Sequence, residues 1–572
     1  MCFHSRHLRL YWNKIKDRIP EIVLLGAVAI LQFYRLGIGE IQSWDESLYL
    51  IRAQACLKFS AWLDQTQYAI GGLYSSTHPP LVIWLMAYTR MIFGDGVFAL
   101  RIVSAIAAVA AIFFFYKLAL RLFSRWTALI LATSLGTAQT FFWYGHHAQL
   151  DIPMLAFIMA AAYYAVRSFE SDSSRYAIIA GLLYGCALST KAVQGVYLLP
   201  FLLALPYIYR SANWKKNLIL LLGSAFIVAA PWYIVMLLRH PDFYGDYAHL
   251  VGSMKAGTYA KEWTTEWWYY LNQIVINFPF LVLGVIAFPT ILTKWKMRDT
   301  PHSRLSLFSI LWFLGMLLFM SSFHTRMLHF LLFLFLPALM VAGVCIEELL
   351  NRKFEKGRAI LFLSILLPAI AWSASELVRR SIRDRSMNLN LFQFEITPFL
   401  IAIALTAIVV ILIYKRIPSS FQGVTMITAV AFLLCANFYR MAERREEAYV
   451  DGAGEVGAML LRSPNIHSLT AYQDGFPHEV YLPQLNFYTE GWLLGWDSSR
   501  PGYTKTWDEL DSLARIGSVP RTDASVMYVS WDVFYKPTPE EKSLLNRINQ
   551  GLAARYNHVL HTKKYQLYWE LK

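Results

Sequence analysis

Long apolar stretches separated by short charged links occupy the first three quarters of the chain. A helix needs about 20 mainly apolar residues, and sometimes as few as ~17, to cross the hydrocarbon core of a bilayer. About thirteen stretches reach or approach this length. They lie at 20–36, 98–120, 126–144, 152–166, 176–192, 193–209, 218–238, 271–292, 305–320, 328–346, 359–377, 399–414 and 424–438. The pattern therefore predicts an α-helical polytopic membrane protein.

The charged residues indicate how these helices are oriented. Hydrophobic residues make up 56% of the 572 residues and charged residues 16%. This composition is too apolar for an ordinary soluble protein. The net charge of +14 therefore does not indicate nucleic-acid binding, as it would in a soluble protein. Lys and Arg gather in alternate links, as cytoplasmic loops do. The predicted cytoplasmic links are 121–125, 167–175, 210–216, 294–304, 352–358 and 415–416. The arginine-rich loop 379–385 disagrees, so either it handles anionic ligands or the local count of spans is wrong.

Two other segments complete the predicted organisation. Residues 79–93 are apolar but short and contain Arg90, Trp84 and Tyr88, which favours an interfacial helix over a span. Past residue 438 the chain becomes charged, with a β-rich run at 526–531 and an amphipathic helix near 540–554. We predict a transmembrane domain over 1–438, with an external loop 37–97, and a soluble α/β or α+β domain over 439–572. An odd number of spans places that domain outside the plasma (inner) membrane.

The cysteines and the N-terminus add little chemistry. The five cysteines are scattered, so neither a disulfide framework nor a metal-ligand spacing is indicated. Basic residues precede the first apolar run as in a signal peptide, but residues 37–46 lack a small-residue cleavage pattern. An uncleaved first span is therefore favoured.

Polar residues that interrupt the apolar pattern converge on the external side in this topology, as a single active site would require. Asp45 and Glu46 follow Trp44 in the first external loop. A carboxylate there can act as general base, taking a proton from an acceptor hydroxyl or amine as it attacks the anomeric carbon of a sugar. The alternative is that both acids only begin a helix, where negative charge is favoured.

Three more external groups have both a functional and a structural interpretation. His78, before Pro79 and Pro80, could bind a phosphate oxygen, transfer a proton or only lie at the interface. Asp151 follows two histidines, but without a third ligand this spacing is a weak metal signal. Lys191, at an external helix end, suits a phosphate as a compact cation, or its side chain only reaches the interface.

The longest external link between spans, 239–270, contains Lys255 and several tryptophans. Such aromatic residues form a belt at the membrane surface, stack on sugar rings or border the entry of a lipid tail. Another link places Arg326 outside, where its guanidinium is a candidate bidentate partner for phosphate.

These residues, in this order, resemble the polytopic glycosyltransferases of the GT-C fold, in the branch that unites protein O-mannosyltransferases and lipid A aminoarabinose transferases. The resemblance extends from about residue 44 to about residue 343, more than half of the chain. It is carried by Trp44-Asp45-Glu46 with Tyr49, His78-Pro79-Pro80-Leu81 with Trp84, Phe93-Gly94 followed by Arg101, Leu150-Asp151 with Pro153, Thr190-Lys191, Pro231-Trp232-Tyr233 with Pro241 and Phe243, and Pro337.

The resemblance implies that Asp45 is the catalytic carboxylate, that Glu46 supports it and that Asp151 lies in the same cavity. It also implies that Lys191, Lys255 and Arg326 surround the phosphate of a polyprenyl-phosphate sugar. His78 stands where the aminoarabinose transferases have a lysine, and Gly252 stands where they have a metal-binding histidine. No cofactor is predicted, and a divalent metal stays an open alternative.

We therefore expect a membrane glycosyltransferase that moves a sugar from a polyprenyl-phosphate donor to a lipid, glycan or protein acceptor of the cell envelope, with inversion at the anomeric carbon. The loop after residue 325 reads Arg326-Met327-Leu328-His329-Phe330 instead of the family's Lys-Leu-Pro-x-Tyr, so the resemblance does not identify the acceptor. The alternatives are a transporter or lipid flippase, and a ligase that uses a diphosphate carrier.

Overall fold

The computed structural model of the chain describes residues 19–42, 45–73, 75–258, 264–277, 300–350, 450–473, 482–506, 509, 525–529 and 539–570. The last three predicted spans, the arginine-rich loop 379–385 and most of the span predicted at 271–292 lie outside these residues.

Helices make up most of the described chain up to residue 350. They are α1 (Ile19–Phe33), α2 (Asp45–Phe59), α3 (Leu81–Phe93), α4 (Val97–Leu122), α5 (Arg125–Gly136), α6 (Gln139–Gly145), α7 (Asp151–Ser171), α8 (Ser174–Leu188), α9 (Ala192–Gly195), α10 (Leu199–Tyr209), α11 (Trp214–Arg239), α12 (Phe243–Ala256), α13 (Tyr269–Asn277), α14 (Pro301–Ser321) and α15 (Leu332–Leu350). Short 3₁₀ turns at Val196–Leu198 and Leu328–Leu331 lead into α10 and α15.

Five helical segments among the described residues are long and apolar enough to cross a membrane: Val97–Leu122, Asp151–Ser171, Trp214–Arg239, Ser303–Ser321 and Leu328–Glu347. Shorter apolar helices occur where spans were predicted near residues 20, 176 and 193. The predicted helical architecture with several apolar spans is confirmed. The total of thirteen stays a prediction.

The third predicted span, 126–144, is not one continuous helix. It consists of α5 and α6, which are separated at Thr137 and Ala138, where the backbone of Ala138 is extended. The Gln32 side chain of α1 donates a hydrogen bond of 3.0 Å to the carbonyl of Gly136. A freed carbonyl inside a membrane needs such a partner, and the apolar pattern alone does not show where a helix is interrupted.

Small residues allow the spans to pack closely. A Cβ atom at Gly181 would clash with the carbonyl oxygen of Leu221, and one at Gly185 would lie 2.7 Å from that of Ala225. Glycine therefore permits α8 and α11 to approach backbone to backbone, as in many membrane helix pairs.

Helix α3 corresponds to the predicted interfacial segment. Its 13 residues span only about 20 Å, against about 30 Å for the hydrocarbon core. The helix begins after Pro80, and the amide of Leu81 donates a hydrogen bond of 3.2 Å to the carbonyl of Ser189. This bond brings the start of α3 close to the turn that contains Lys191.

The described residues from 450 onwards, called here the C-terminal region, contain a mixed sheet and three helices. The strands are β1 (Leu469–Gln473), β2 (Gly502–Thr506), β3 (Ser525–Val529), β4 (His558–His561) and β5 (Tyr565–Trp569), in the order β2-β1-β3-β5-β4. Strand β1 is parallel to β2 and β3, whereas β5 is antiparallel to β3 and β4. The helices are α16 (Ala453–Arg462), α17 (Pro483–Tyr488) and α18 (Pro539–Arg555). Helix α18 matches the amphipathic helix predicted near 540–554, and β3 overlaps the predicted β-rich run at 526–529.

Candidate active site

Asp45 is the first residue of α2 and is half-buried. Burial raises the pKa of its carboxyl to about 6, while the charge of Lys191 acts to lower that pKa and the charge of Asp151 acts to raise it. Both charges therefore lie within electrostatic range of Asp45. A pKa near neutrality suits a general base, since the group is mostly ionised at pH 7 yet still accepts a proton readily.

Glu46, the next residue, has a different environment. Its Oε1 accepts hydrogen bonds from Arg101 Nε (2.7 Å) and from the amide of Ala148 (2.8 Å). Its Oε2 accepts from Arg101 Nη2 (3.0 Å) and from the amide of Gln42 (2.7 Å). Burial raises the pKa of Glu46, but Arg101, His147 and these hydrogen bonds outweigh burial, and the pKa ends below its usual value. Glu46 is therefore suited to support Asp45 rather than to accept a proton.

Asp151 and Lys191 form a buried ion pair. Lys191 Nζ lies 2.9 Å from Oδ1 and 3.0 Å from Oδ2 of Asp151, and the two residues are 2% and 1% exposed. Asp151 is the first residue of α7, where the positive end of the helix dipole favours a carboxylate. Lys191 follows α8 at the turn beside α3. Such a pair needs both partners, because either charge alone would be left buried without compensation.

His78 lies in the turn before α3 and is half-buried. The guanidinium of Arg52, which is fully buried, donates a hydrogen bond of 2.7 Å to the carbonyl of His78. Burial, Lys191, Arg52 and His329 all lower the pKa of His78, which lies well below its usual value. His78 Nδ1 is buried and has no hydrogen-bond partner among the described residues. A neutral imidazole with such an atom can bind a polar group of a ligand.

Lys255 and Arg326 belong to a separate cluster. The carbonyl of Lys255 accepts hydrogen bonds from His324, and its side chain is exposed. The guanidinium of Arg326 donates to the carbonyls of Thr265 and Ser321, and only its Nε is buried without a partner among the described residues. Within the part of the chain that the structure describes, neither residue forms an ion pair or hydrogen bond with the carboxylates of Asp45 or Asp151.

Two residues near the site were not singled out from the sequence as site residues. His329, in the 3₁₀ turn before α15, is close enough to His78 to affect its pKa. Arg52 holds the His78 turn. In the sequence, His329 was noted only as a departure from the family's motif. Its position three residues after Arg326 was the one signal that could have marked it as a site residue. Nothing in the local sequence distinguishes Arg52.

Among the residues that the structure describes, no group of three or more His, Cys, Asp or Glu side chains is arranged to hold a metal ion. Gly252, which the resemblance placed at the position of a metal-binding histidine, is an exposed residue of α12.

Sequence comparisons show which known proteins the chain is similar to. Residues 77–235 match the family model "Dolichyl-phosphate-mannose-protein mannosyltransferase". The undecaprenyl phosphate-alpha-4-amino-4-deoxy-L-arabinose arabinosyl transferase of Pseudomonas aeruginosa is 26% identical over 362 residues, which are 60% of this chain and 63% of that protein. The enzyme of the same name from Shewanella sediminis is 24% identical over 358 residues, 59% of this chain and 62% of that protein. The chain thus matches less than two thirds of the length of these relatives.

Solved structures match over more of the chain. ArnT from Cupriavidus metallidurans bound to undecaprenyl phosphate superposes with a TM-score of 0.60 at 15% identity, over 96% of this chain and 98% of ArnT. The arabinosyltransferase EmbB from Mycobacterium smegmatis gives a TM-score of 0.51 at 13% identity, over 76% of this chain and 42% of EmbB. The chain shares its fold with these proteins, and its resemblance to the mannosyltransferase and aminoarabinose transferase branch of GT-C glycosyltransferases, predicted from the sequence, is confirmed.

Proposed function

We propose that the chain is an integral membrane glycosyltransferase that moves a sugar from a polyprenyl-phosphate donor to a lipid, glycan or protein acceptor of the cell envelope. The observation that carries the proposal is the convergence of Asp45, His78, Asp151 and Lys191, which come from four separate segments. The confirmed resemblance supports it, since the similar proteins are named as transferases that use undecaprenyl-phosphate aminoarabinose.

Asp45 acts as the general base in this proposal. The acceptor oxygen or nitrogen attacks the anomeric carbon and gives its proton to the Asp45 carboxylate, while the bond between that carbon and the phosphate oxygen breaks. The products are the glycosylated acceptor and the polyprenyl phosphate, with inversion at the anomeric carbon. Because phosphate is a good leaving group, positioning and charge stabilisation suffice without a covalent intermediate. Glu46 holds Asp45 through the start of α2.

The phosphate binds beside Lys191 and His78. The charge of Lys191 is close enough to Asp45 to lower the pKa of that carboxyl, and the unpartnered Nδ1 of His78 provides a polar contact. Asp151 neutralises Lys191 before the donor binds and orients its ammonium group. Lys255 and Arg326, which the resemblance also assigns to the phosphate, form a cluster of their own, and the Arg326 guanidinium would have to give up its carbonyl partners to bind the phosphate.

The proposal includes an orientation. The end of the helical bundle that contains Asp45 faces the periplasmic or external side of the plasma (inner) membrane, together with a soluble domain over residues 439–572. The alternation of basic links in the sequence supports this orientation. Labelling of single cysteines at exposed positions 95 and 497 with a membrane-impermeant reagent in intact spheroplasts tests it, and labelling only after lysis would contradict it.

The decisive experiment measures transfer from labelled polyprenyl-phosphate sugars by purified protein in detergent, with cell-envelope extract as acceptor. Asp45→Asn should lower kcat at least about 100-fold with little change in donor affinity, because it removes the base and keeps the shape. Asp95→Asn is the matched control, since Asp95 is an exposed carboxylate of the same external loop that pairs with Arg90. It should retain wild-type activity.

Three results would overturn the proposal. Normal turnover by Asp45→Asn would exclude Asp45 as base. A protein that leaves the donor intact in detergent but moves it across sealed vesicles would be a transporter or flippase. A protein that consumes only diphosphate-linked glycans would be a ligase.

A further inference from the structure

The loop before Asp45 is fastened to the C-terminal region through the side chain of Glu40. Its Oε2 accepts hydrogen bonds of 2.9 Å from the amides of Asp451 and Gly452, and its Oε1 accepts one of 3.0 Å from the amide of Gly454. These amides lie at the start of α16. A carboxylate there meets free N–H groups and the positive end of the helix dipole, so the three bonds are charge-assisted.

The next residue, Ile41, is held on both sides of its backbone. Its amide donates to the hydroxyl of Tyr488 (3.0 Å), and its carbonyl accepts from the side-chain amide of Gln484 (2.6 Å). The hydroxyl of Tyr565 in β5 donates to Gln484 Oε1 (3.0 Å) and so fixes the orientation of that amide. Hydrogen bonds thus run from the sheet of the C-terminal region to the backbone four residues before Asp45.

The same loop is held from the transmembrane part by Arg101. Besides binding Glu46, Arg101 donates hydrogen bonds to the carbonyls of Ile38 (3.2 Å) and Glu40 (2.7 Å). Glu40 therefore joins the C-terminal region to the transmembrane part. Its side chain binds the start of α16, and its carbonyl binds the guanidinium of Arg101, which also holds Glu46. Apolar contact reinforces this join, since Phe487 of α17 packs in one cluster with Leu48 and Tyr49 of α2.

We propose that the C-terminal region is a positioning element of the active site, acting through Glu40 and the backbone of Ile41 to fix where α2 presents Asp45. The inference rests on the proposed function for its catalytic meaning. It assigns a role to residues that lie more than 400 positions from Asp45 in the chain. Glu40, Gln484 and Tyr565 are positioning residues and do not contact the substrates.

The test compares Glu40→Ala and Tyr565→Phe with two matched controls. Lys58→Ala breaks the exposed Lys58–Glu490 ion pair, which joins the same two parts of the chain. Tyr568→Phe removes the other hydroxyl of β5 that donates to a side chain, that of Asn549 within the C-terminal region. Glu40→Ala should lower kcat about 10- to 100-fold, because small displacements of a catalytic group have effects of this size, while the donor KM changes less than about twofold. Tyr565→Phe should have a smaller effect in the same direction, and the controls should stay within about twofold of wild type.

Two readouts separate positioning from a general loss of folding. If α2 is loosened, water reaches Asp45 and the acidic limb of the pH–rate profile moves to lower pH, which a reduced amount of folded protein cannot cause. Hydrogen–deuterium exchange over residues 36–50 should also accelerate in Glu40→Ala and not in Lys58→Ala. Glu40→Gln, which keeps an acceptor oxygen, should recover part of the activity.

The outcomes distinguish this inference from the proposed function. A wild-type protein that consumes no polyprenyl-phosphate sugar would overturn the proposed function, whereas the exchange measurement would still report whether Glu40 fixes the loop. A Glu40→Ala protein with unchanged exchange at 36–50, or with wild-type kcat and pH profile, would overturn the inference.

Discussion

Replacement of Lys191 by methionine tests the importance of the buried ion pair between Lys191 and Asp151. The ammonium group of Lys191 and the carboxylate of Asp151 are almost completely buried, with both carboxylate oxygens within 3.0 Å of Nζ. Removal of one partner of a buried pair costs about 3–5 kcal/mol, because the remaining charge loses its compensation. Lys191→Met should therefore lower the free energy of unfolding by about this amount.

The double variant shows whether the loss comes from the pair. Lys191→Met combined with Asp151→Asn removes both charges, and it should recover most of the stability, with a coupling energy of at least about 2 kcal/mol. The assay is denaturant unfolding of purified protein in detergent. Lys58→Met serves as control, because the exposed pair of Lys58 with Glu490 should contribute less than about 1 kcal/mol.

The pH dependence of activity provides a second test of the charges of Lys191 and Asp151. Asp45 must be ionised to act as base, so activity should fall as the pH drops through its pKa of about 6. Lys191 lowers that pKa and Asp151 raises it, so the acidic limb should move up by about one pH unit in Lys191→Met and down in Asp151→Asn. The double variant should lie between them.

Equal unfolding free energies of Lys191→Met and wild type would refute the reasoning, since they would mean that Asp151 tolerates burial alone. Acidic limbs that do not move in opposite directions would show that Asp45 does not respond to these two charges.

Two further predictions concern the neighbouring residues. Glu46→Ala should abolish activity and destabilise the protein by about 3–5 kcal/mol, because Arg101 is left buried without its carboxylate. Glu46→Gln keeps two acceptor sites on one oxygen and should therefore lose less stability. Equal losses of unfolding free energy in the two variants would contradict this prediction. His78→Ala should raise the donor KM about tenfold with a smaller change in kcat, because the donor loses a polar contact. His78→Lys should restore much of the affinity, since an ammonium group can also contact the phosphate, and steady-state kinetics in which the alanine variant keeps the wild-type KM would exclude a contact between His78 and the donor.

The apolar pattern predicted the long apolar helices among the described residues but not their interruptions. Runs such as 98–120 and 218–238 predict helices because the bilayer requires each span to satisfy its own backbone hydrogen bonds. The break at Thr137 and Ala138 was not predictable in this way, since the carbonyl of Gly136 beside it accepts its hydrogen bond from the Gln32 side chain of another helix. The spans beyond residue 350 stay predictions.

The sequence by itself determined which polar residues are candidates for the site. Positive links fix the sidedness of each span, so Asp45, Asp151 and Lys191 had to lie on one side of the membrane if the order of spans was right. Their types then indicated a base and a cation for phosphate.

Only the tertiary structure decided in which environment each candidate side chain lies. Asp45 and Glu46 are adjacent acids with the same local signal, yet Glu46 is neutralised by Arg101 whereas Asp45 keeps a raised pKa beside Lys191. The same holds for Glu40, which meets the C-terminal region only because the chain folds back over more than 400 residues. Hydrophobic periodicity encodes which side of a helix is buried, but the pairing of distant charges depends on which elements approach one another, and that information is not local.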